Sequence, residues 1–192
     1  MSLLHSVGLQ FDIRLPIEKI WEFKRGGMTN NEALKIYVKN SKLRNEIQNS
    51  WKLNIESNYW LSYDKLFSDI YSKMHNLRKN NFNIYVISAR SISENFKNQI
   101  SNLRLDQLGI EFHCVSPNNK TCEKAKILRQ VNAKIYVGDS ETDFESSIQA
   151  HVPFLGVACG QRSYKFLTNY GIQKVFETTI DAINSLFDKI NG

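Results

Sequence analysis

Gly138-Asp139-Ser140-Glu141-Thr142-Asp143 gathers several acids into one short stretch of the 192-residue chain. Asp139 and Asp143 stand four apart, directly after the apolar run Ile135-Tyr136-Val137. With Asp139 at a strand tip and Asp143 one turn into the next element, both carboxylates face one point. No basic residue stands between them, so they repel unless a cation sits there. A hard cation that takes oxygen ligands and keeps some of its waters, such as Mg²⁺, suits them best. An ordinary strand–helix turn with two solvated acids uses the same letters, so this motif alone does not decide.

These residues need an element on each side. Ile135-Tyr136-Val137 has the composition of a short strand buried on both faces. Gly138 ends it where the chain turns sharply without a Cβ in the way. A helix through Ala150 leads to a second strand, Phe154-Leu155-Gly156-Val157. From Asn80 onward the chain alternates strand and helix. Phe82 to Ile87 is a strand. Ser91-Ile92-Ser93-Glu94 has capping-box spacing and opens a helix that Gly109 stops. Ile110 to Val115 is a strand, and Thr121 caps a helix through about Gln130. Val175-Phe176 is a short strand, and Ile180 to Ile190 a last helix. Repeated strand–helix units predict an α/β, Rossmann-like parallel sheet with helices on both faces. In such sheets ligands bind at the carboxyl ends of the strands.

The region before it reads as all-helical. Pro16 suits a first helical turn, and Gly26-Gly27 stops that helix. Thr29-Asn30-Asn31-Glu32 is a capping box. A long helix is expected from Tyr63 to Lys79, with Leu66, Ile70, Met74 and Leu77 on one face. Val7 to Phe11 reads either as a short strand or as the last turn of a helix. The expected division is 1–15 as an N-terminal segment and core remnant, 16–75 as a helical cap and 76–192 as the α/β core.

Composition narrows the function classes. No apolar run approaches the roughly 20 residues of a membrane span, and no basic signal region opens the chain. Three cysteines without C-x-x-C spacing favour reduced thiols, so a cytoplasmic setting is expected rather than a disulfide scaffold or a zinc site. The net charge is +6, with Lys and Arg scattered among many Asn, which favours a solvated basic surface over nucleic-acid binding. No membrane partner is expected, and a homodimer is left open.

The GDSETD turn, its helix and FLGV together resemble the fourth motif of the haloacid dehalogenase (HAD) superfamily, a G-D-x-x-x-D metal motif at a strand end. Two further stretches fall in family order. Ser88 ends the strand IYVISAR, and the second family motif is a strand ending in Thr or Ser. The resemblance implies that the Ser88 hydroxyl and the following Ala89 N–H hold a phosphoryl oxygen. The third motif is a Lys near the start of the next helix. Lys124 in EKAKIL matches it, and Lys120 is the rival. The KRGGMTNNEAL stretch resembles the caps of such proteins. His151 stands where the family often has Gly, which tightens the turn.

The resemblance thus implies a phosphatase type of HAD-like hydrolase that acts on a small phosphorylated molecule with Mg²⁺. Asp139 and Asp143 would hold the metal, and Ser88, Ala89 and Lys124 the phosphate. A catalytically silent module that binds a phosphometabolite or a protein is the alternative. The first motif, D-x-D after an apolar strand, supplies the family's nucleophile and acid/base, and it is not evident here. GLQFDIRLP offers Asp12, with Arg14 where the second Asp belongs, and Arg does not exchange a proton near neutral pH. Three readings follow: Asp12 as a working nucleophile, a degenerate motif at Asp12, or a chain that begins after the first motif. Under the last, MSLLHSVGLQFD is the end of a helix. The resemblance also places the first-motif strand centrally in the sheet. Its loss would leave buried backbone groups unpaired at about 1–3 kcal/mol each. We therefore expect Val7–Phe11, or a segment of a second copy, to fill that place.

Overall fold

A computed structural model describes residues 2–188. The first half is helical: α1 (Ser2–Gln10), α2 (Ile17–Arg25), α3 (Asn30–Tyr37), α4 (Ser41–Asn54), α5 (Asn58–Leu61) and α6 (Ile70–Lys79). The second half alternates β1 (Tyr85–Ala89), α7 (Ser93–Asn102), β2 (Glu111–Val115), α8 (Lys120–Gln130), β3 (Tyr136–Gly138), α9 (Glu141–Ala150), β4 (Phe154–Val157), α10 (Tyr164–Asn169), β5 (Val175–Phe176) and α11 (Thr179–Asp188). All strand pairs are parallel. The α/β architecture is therefore as expected, and the far end of the last helix, at Ile190, lies outside the described residues.

Val7–Phe11 is not a strand. Leu3, Leu4 and Val7 repeat at helical spacing and bury against Leu15, Ile20, Leu34 and Ile47. The helical period outweighs the short β-like run. Gly8 lets the chain fold back, because a Cβ there would fall 2.8 Å from the Ile13 carbonyl oxygen. The N-terminal segment thus packs into one cluster with α2, α3 and α4. By contrast, α6 packs on α11 through Ile70, Leu77 and Ile183.

Helix starts follow the side chains that reach them. Thr29 and Glu32 form the expected capping box, at 3.2 Å and 2.7 Å. Three other expectations are corrected. The helix expected from Tyr63 begins only at Ile70. Ser62, Asp64 and Asp69 favour turns over helix interiors, and Asp64 is engaged by Gln99 Nε2 at 2.5 Å. Ser91 does not cap α7. The Glu56 carboxylate, 35 residues away, accepts from the N–H groups of Ser91 and Ile92 at 2.8 Å. Thr121 lies inside the first turn of α8, which begins at Lys120. Before it, Ser116 caps a short 3₁₀ turn over Pro117–Asn119.

The sheet is in two pieces. β1 pairs only with β2, while β3, β4 and β5 form a second ladder in that order. Ile87 of β1 and Tyr136 of β3 pack on the same layer, made by Ala125, Leu128 and Ala150 of α8 and α9. The two ladders are thus neighbours under shared helices. Among the described residues no strand joins them, so the expectation that Val7–Phe11 fills the sheet is wrong. Its residues are committed to the helical cluster instead.

The helical half meets the carboxyl ends of both ladders. Glu56 holds the turn after β1, and Asn95 Nδ2 donates back to the Glu56 carbonyl at 2.7 Å. After β4, Arg25 donates to the Ala158 carbonyl, Arg162 to the Lys24 carbonyl, and Ser163 N–H to the Arg25 carbonyl. Gly27 takes φ +108° against the Phe166 ring, where a side chain would collide.

Candidate active site

β3 delivers its acids to the carboxyl edge of its ladder. Gly138 is required at its end, because a Cβ there would lie 2.5 Å from that of Asp143. Ser140 caps α9: its Oγ accepts from Asp143 N–H at 3.3 Å and donates to Asp143 Oδ2 at 2.6 Å. This draws the Asp143 side chain back toward the strand tip. Asp143 Oδ1 then accepts from Lys124 Nζ at 2.5 Å and from the Tyr136 hydroxyl at 2.7 Å. Lys124 reaches it from α8, and both side chains are buried. His151 ends α9 with φ 57°, the left-handed conformation that Gly takes more readily.

Asp139 is treated differently. Its Oδ2 accepts the Gln161 N–H at 2.7 Å, and a Cβ on Gly160 would overlap that oxygen. The loop after β4 is thus pressed onto Asp139. No side-chain cation touches it among the described residues. Farther out, Glu141 pairs with buried Arg162, with Nε donating to Oε2 at 2.7 Å.

The two aspartates titrate in opposite directions. Burial and then the Asp143 charge push the Asp139 carboxyl up, against the Gln161 N–H and Lys124. Burial also works against ionising Asp143, but the Lys124 charge and the Lys124, Ser140 and Tyr136 hydrogen bonds outweigh it and hold that carboxyl low. Tyr136 is pushed up by burial and by Asp143, so its hydroxyl stays a donor. Glu141 lies low despite burial because Arg162 binds it.

The other candidates fall into two groups. Ser88 and Ala89 end β1 at the same carboxyl edge, on the neighbouring ladder. Among the described residues the Ser88 hydroxyl makes no side-chain hydrogen bond, so it is free to donate. A cleft of about 460 Å³ opens beside it, lined by Arg90, Ser91, Cys114 and Asn118. Lys120 opens α8, where its charge acts on Glu141, while Lys124 is the lysine bound to Asp143. Asp12 is not brought to the site. It is exposed in the turn after α1, with φ 56°. A larger cleft, about 700 Å³, lies between α2 and α10 and contains none of these residues.

Sequence reasoning missed Tyr136, Ser140, Gln161 and the Glu141–Arg162 pair. The Ser140-x-x-Asp143 spacing is an N-cap signal that could have shown the first bond of the cluster. Arg162 and the Gln161 N–H arrive from a distant loop and leave no local signal.

Mg²⁺ fits this donor set in part. Asp139 is a half-buried carboxylate with one oxygen unclaimed and no side-chain cation touching it among the described residues, the kind of group that a hard cation relieves. Asp143 already has both oxygens engaged and a lysine on it. Among the described residues no group of three or more His, Cys, Asp or Glu stands ready to hold a metal.

The comparisons agree with the architecture. No protein-family model matches the chain, and no curated protein does. Solved structures do match over nearly its whole length. A predicted phosphatase from Clostridium acetobutylicum is 15% identical with a TM-score of 0.72, covering 97% of this chain and 89% of that one. A haloacid dehalogenase-like hydrolase from Streptococcus pneumoniae is 14% identical with a TM-score of 0.74, covering 96% and 89%. Helical half and split sheet together thus have the fold of the haloacid dehalogenase-like hydrolases.

Proposed function

We propose that this protein is a phosphatase-type HAD module that binds Mg²⁺ and a small phosphorylated metabolite at the carboxyl edge of β1 and β3. The observation that carries the reading is the half-buried Asp139, which no side-chain cation touches among the described residues, beside the neutralised Lys124–Asp143 pair. Asp139 would hold the ion directly, and Asp143 through water because its oxygens are already engaged. Bound there, Mg²⁺ would supply charge stabilisation to phosphoryl oxygens. Ser88 and the Ala89 N–H would hold a phosphoryl oxygen with neutral donors, which suit a charge that moves during transfer. Lys124 would fix Asp143 and add positive field to the site. The helices over residues 16–75 would act as the cap that excludes water and chooses the substrate.

A second reading, a catalytically silent binding module, is favoured by one observation: Asp12 stands exposed on a helix end, away from Asp139. Both readings are tested together. Calorimetric titration should show Mg²⁺ binding only in the millimolar range, as befits an incomplete oxygen shell, and none in Asp139→Asn. Hydrolysis of p-nitrophenyl phosphate by residues 1–192 should stay near background, since loss of a covalent nucleophile costs on the order of 10⁶-fold. Robust turnover abolished by Asp12→Asn would overturn the silent reading. Tight micromolar Mg²⁺ binding would contradict the incomplete shell.

A further inference from the structure

Alternation along β3 decides which face holds Asp143. Tyr136 packs on Ala125, Leu128 and Ala150 of the α8–α9 layer, and Val137 on Leu155, Val157 and Ala182 of the opposite one. Gly138 returns to the Tyr136 face. Asp143 fills the space that Gly138 leaves there, since a Cβ on Gly138 would lie 2.5 Å from its own. Asp139 comes next along the chain and is met by Gly160 and the Gln161 N–H, from the loop after β4. The two carboxylates therefore sit in different surroundings at one strand tip.

Three side chains hold Asp143. Lys124 Nζ, at 2.5 Å, neutralises it. Ser140 Oγ, at 2.6 Å, also caps α9 by accepting the Asp143 N–H. Both are structural ties in their own right. The Tyr136 hydroxyl, at 2.7 Å, is the exception. Its ring already fills the apolar layer and meets the Phe154 ring edge-on, with centroids 5.8 Å apart. Phenylalanine would pack the same way without bringing a hydroxyl into the layer, where one is unfavourable unless it finds a partner. Among the described residues its side-chain partner is Asp143 Oδ1. What the hydroxyl adds is a donor to that oxygen. A carboxylate oxygen has about two acceptor sites. Lys124 and Tyr136 together fill both on Oδ1.

We propose that Tyr136 is a positioning residue that keeps Asp143 from touching a cation at Asp139, so that Asp143 acts on that cation only through water. The fourth-motif resemblance gives both aspartates to the metal. The structure instead leaves Asp139 an unclaimed oxygen, while each Asp143 oxygen is already hydrogen-bonded. Without the hydroxyl, one site on Oδ1 opens and a buried anion loses a donor. Both changes strengthen its attraction for a divalent cation. The inference rests on the metal reading of Asp139 and needs nothing of the phosphate.

Tyr136→Phe in the full 192-residue chain isolates the hydroxyl, because the ring and its packing stay. Calorimetric titration would compare Mg²⁺ with cobalt hexammine. The ammines of that complex do not exchange, so it meets carboxylates only through its own ligand shell. Tyr136→Phe should bind Mg²⁺ at least about 10-fold more tightly than the unaltered chain, the equivalent of one hydrogen bond to a charged group. Cobalt hexammine should bind both proteins equally. A merely structural role for Tyr136 would not separate the two cations in this way. Unchanged or weaker Mg²⁺ binding in Tyr136→Phe overturns the proposal. An equal gain for both cations overturns it too, because Tyr136 would then act on any positive charge. Mg²⁺ binding to neither protein at millimolar concentration would remove the metal reading as well, which sets that failure apart from the other two.

Discussion

Asp139 and Asp143 are four residues apart at the same strand tip, one half-buried and the other buried, yet their charges have opposite consequences. Asp143 is held low, so its contribution to stability is complete above its unfolded value near 3.9 and is lost as pH falls through the lower folded value. Asp139 is held high, so the folded state binds its proton more tightly than the unfolded chain does. Stability is then lost as pH rises from the unfolded value through the folded one, and at neutral pH its charge is a cost. Asp139→Asn removes that cost and keeps an oxygen for the Gln161 N–H. We expect it to raise the melting temperature by about 2–4 °C, the shift for about 1 kcal/mol in a domain of this size. Calorimetry at neutral pH checks this, and an unchanged or lower midpoint would contradict it. Lys124→Ala should act the other way, because it leaves Asp143 buried without its cation. Losses of about 3–5 kcal/mol are usual for a broken buried pair, and urea unfolding measures them. A loss under about 1 kcal/mol would mean that Asp143 finds another partner.

At the scale of elements, local patterns were legible where short-range partners win. The Thr29–Glu32 capping box, the Gly138 strand end and the βα alternation all could be read from neighbours in sequence. The approach to α7 could not, because the turn before it is held by Glu56 from the helical half. A Ser-x-x-Glu spacing at Ser91 offered the wrong partner for that reason. The same carboxylate ties the helical half to the turn after β1. Glu56→Ala should therefore cost about 1–3 kcal/mol, because it leaves the Ser91 and Ile92 N–H groups without their acceptor, and should loosen two elements together. Hydrogen exchange should rise at Ser91, at Ile92 and in the first turn of α7. Exchange confined to α5 would show that the turn before α7 has another support.

At the scale of the molecule, the helical half, the parallel strands and the edge where they meet were legible, but the division of the sheet was not. Alternating apolar runs reveal how many strands a chain makes, but not whether consecutive ladders share a neighbour. Of the site, Asp139 and Asp143 stand at one strand end, and Lys124, which the family resemblance singled out, binds Asp143 there. Tyr136 and Gln161 complete it through contacts that only the fold creates. The central claim is that a phosphoryl group and Mg²⁺ meet at this edge. Amide chemical-shift mapping of the ¹⁵N-labelled protein during titration with Mg²⁺ and inorganic phosphate tests it most directly. The account predicts the largest shifts at Ser88, Ala89, Ser140 and Gln161, and their loss in Asp139→Asn. Shifts gathered instead around Trp21, Phe23 and Tyr164 in the larger cleft, or none at millimolar ligand, would contradict it.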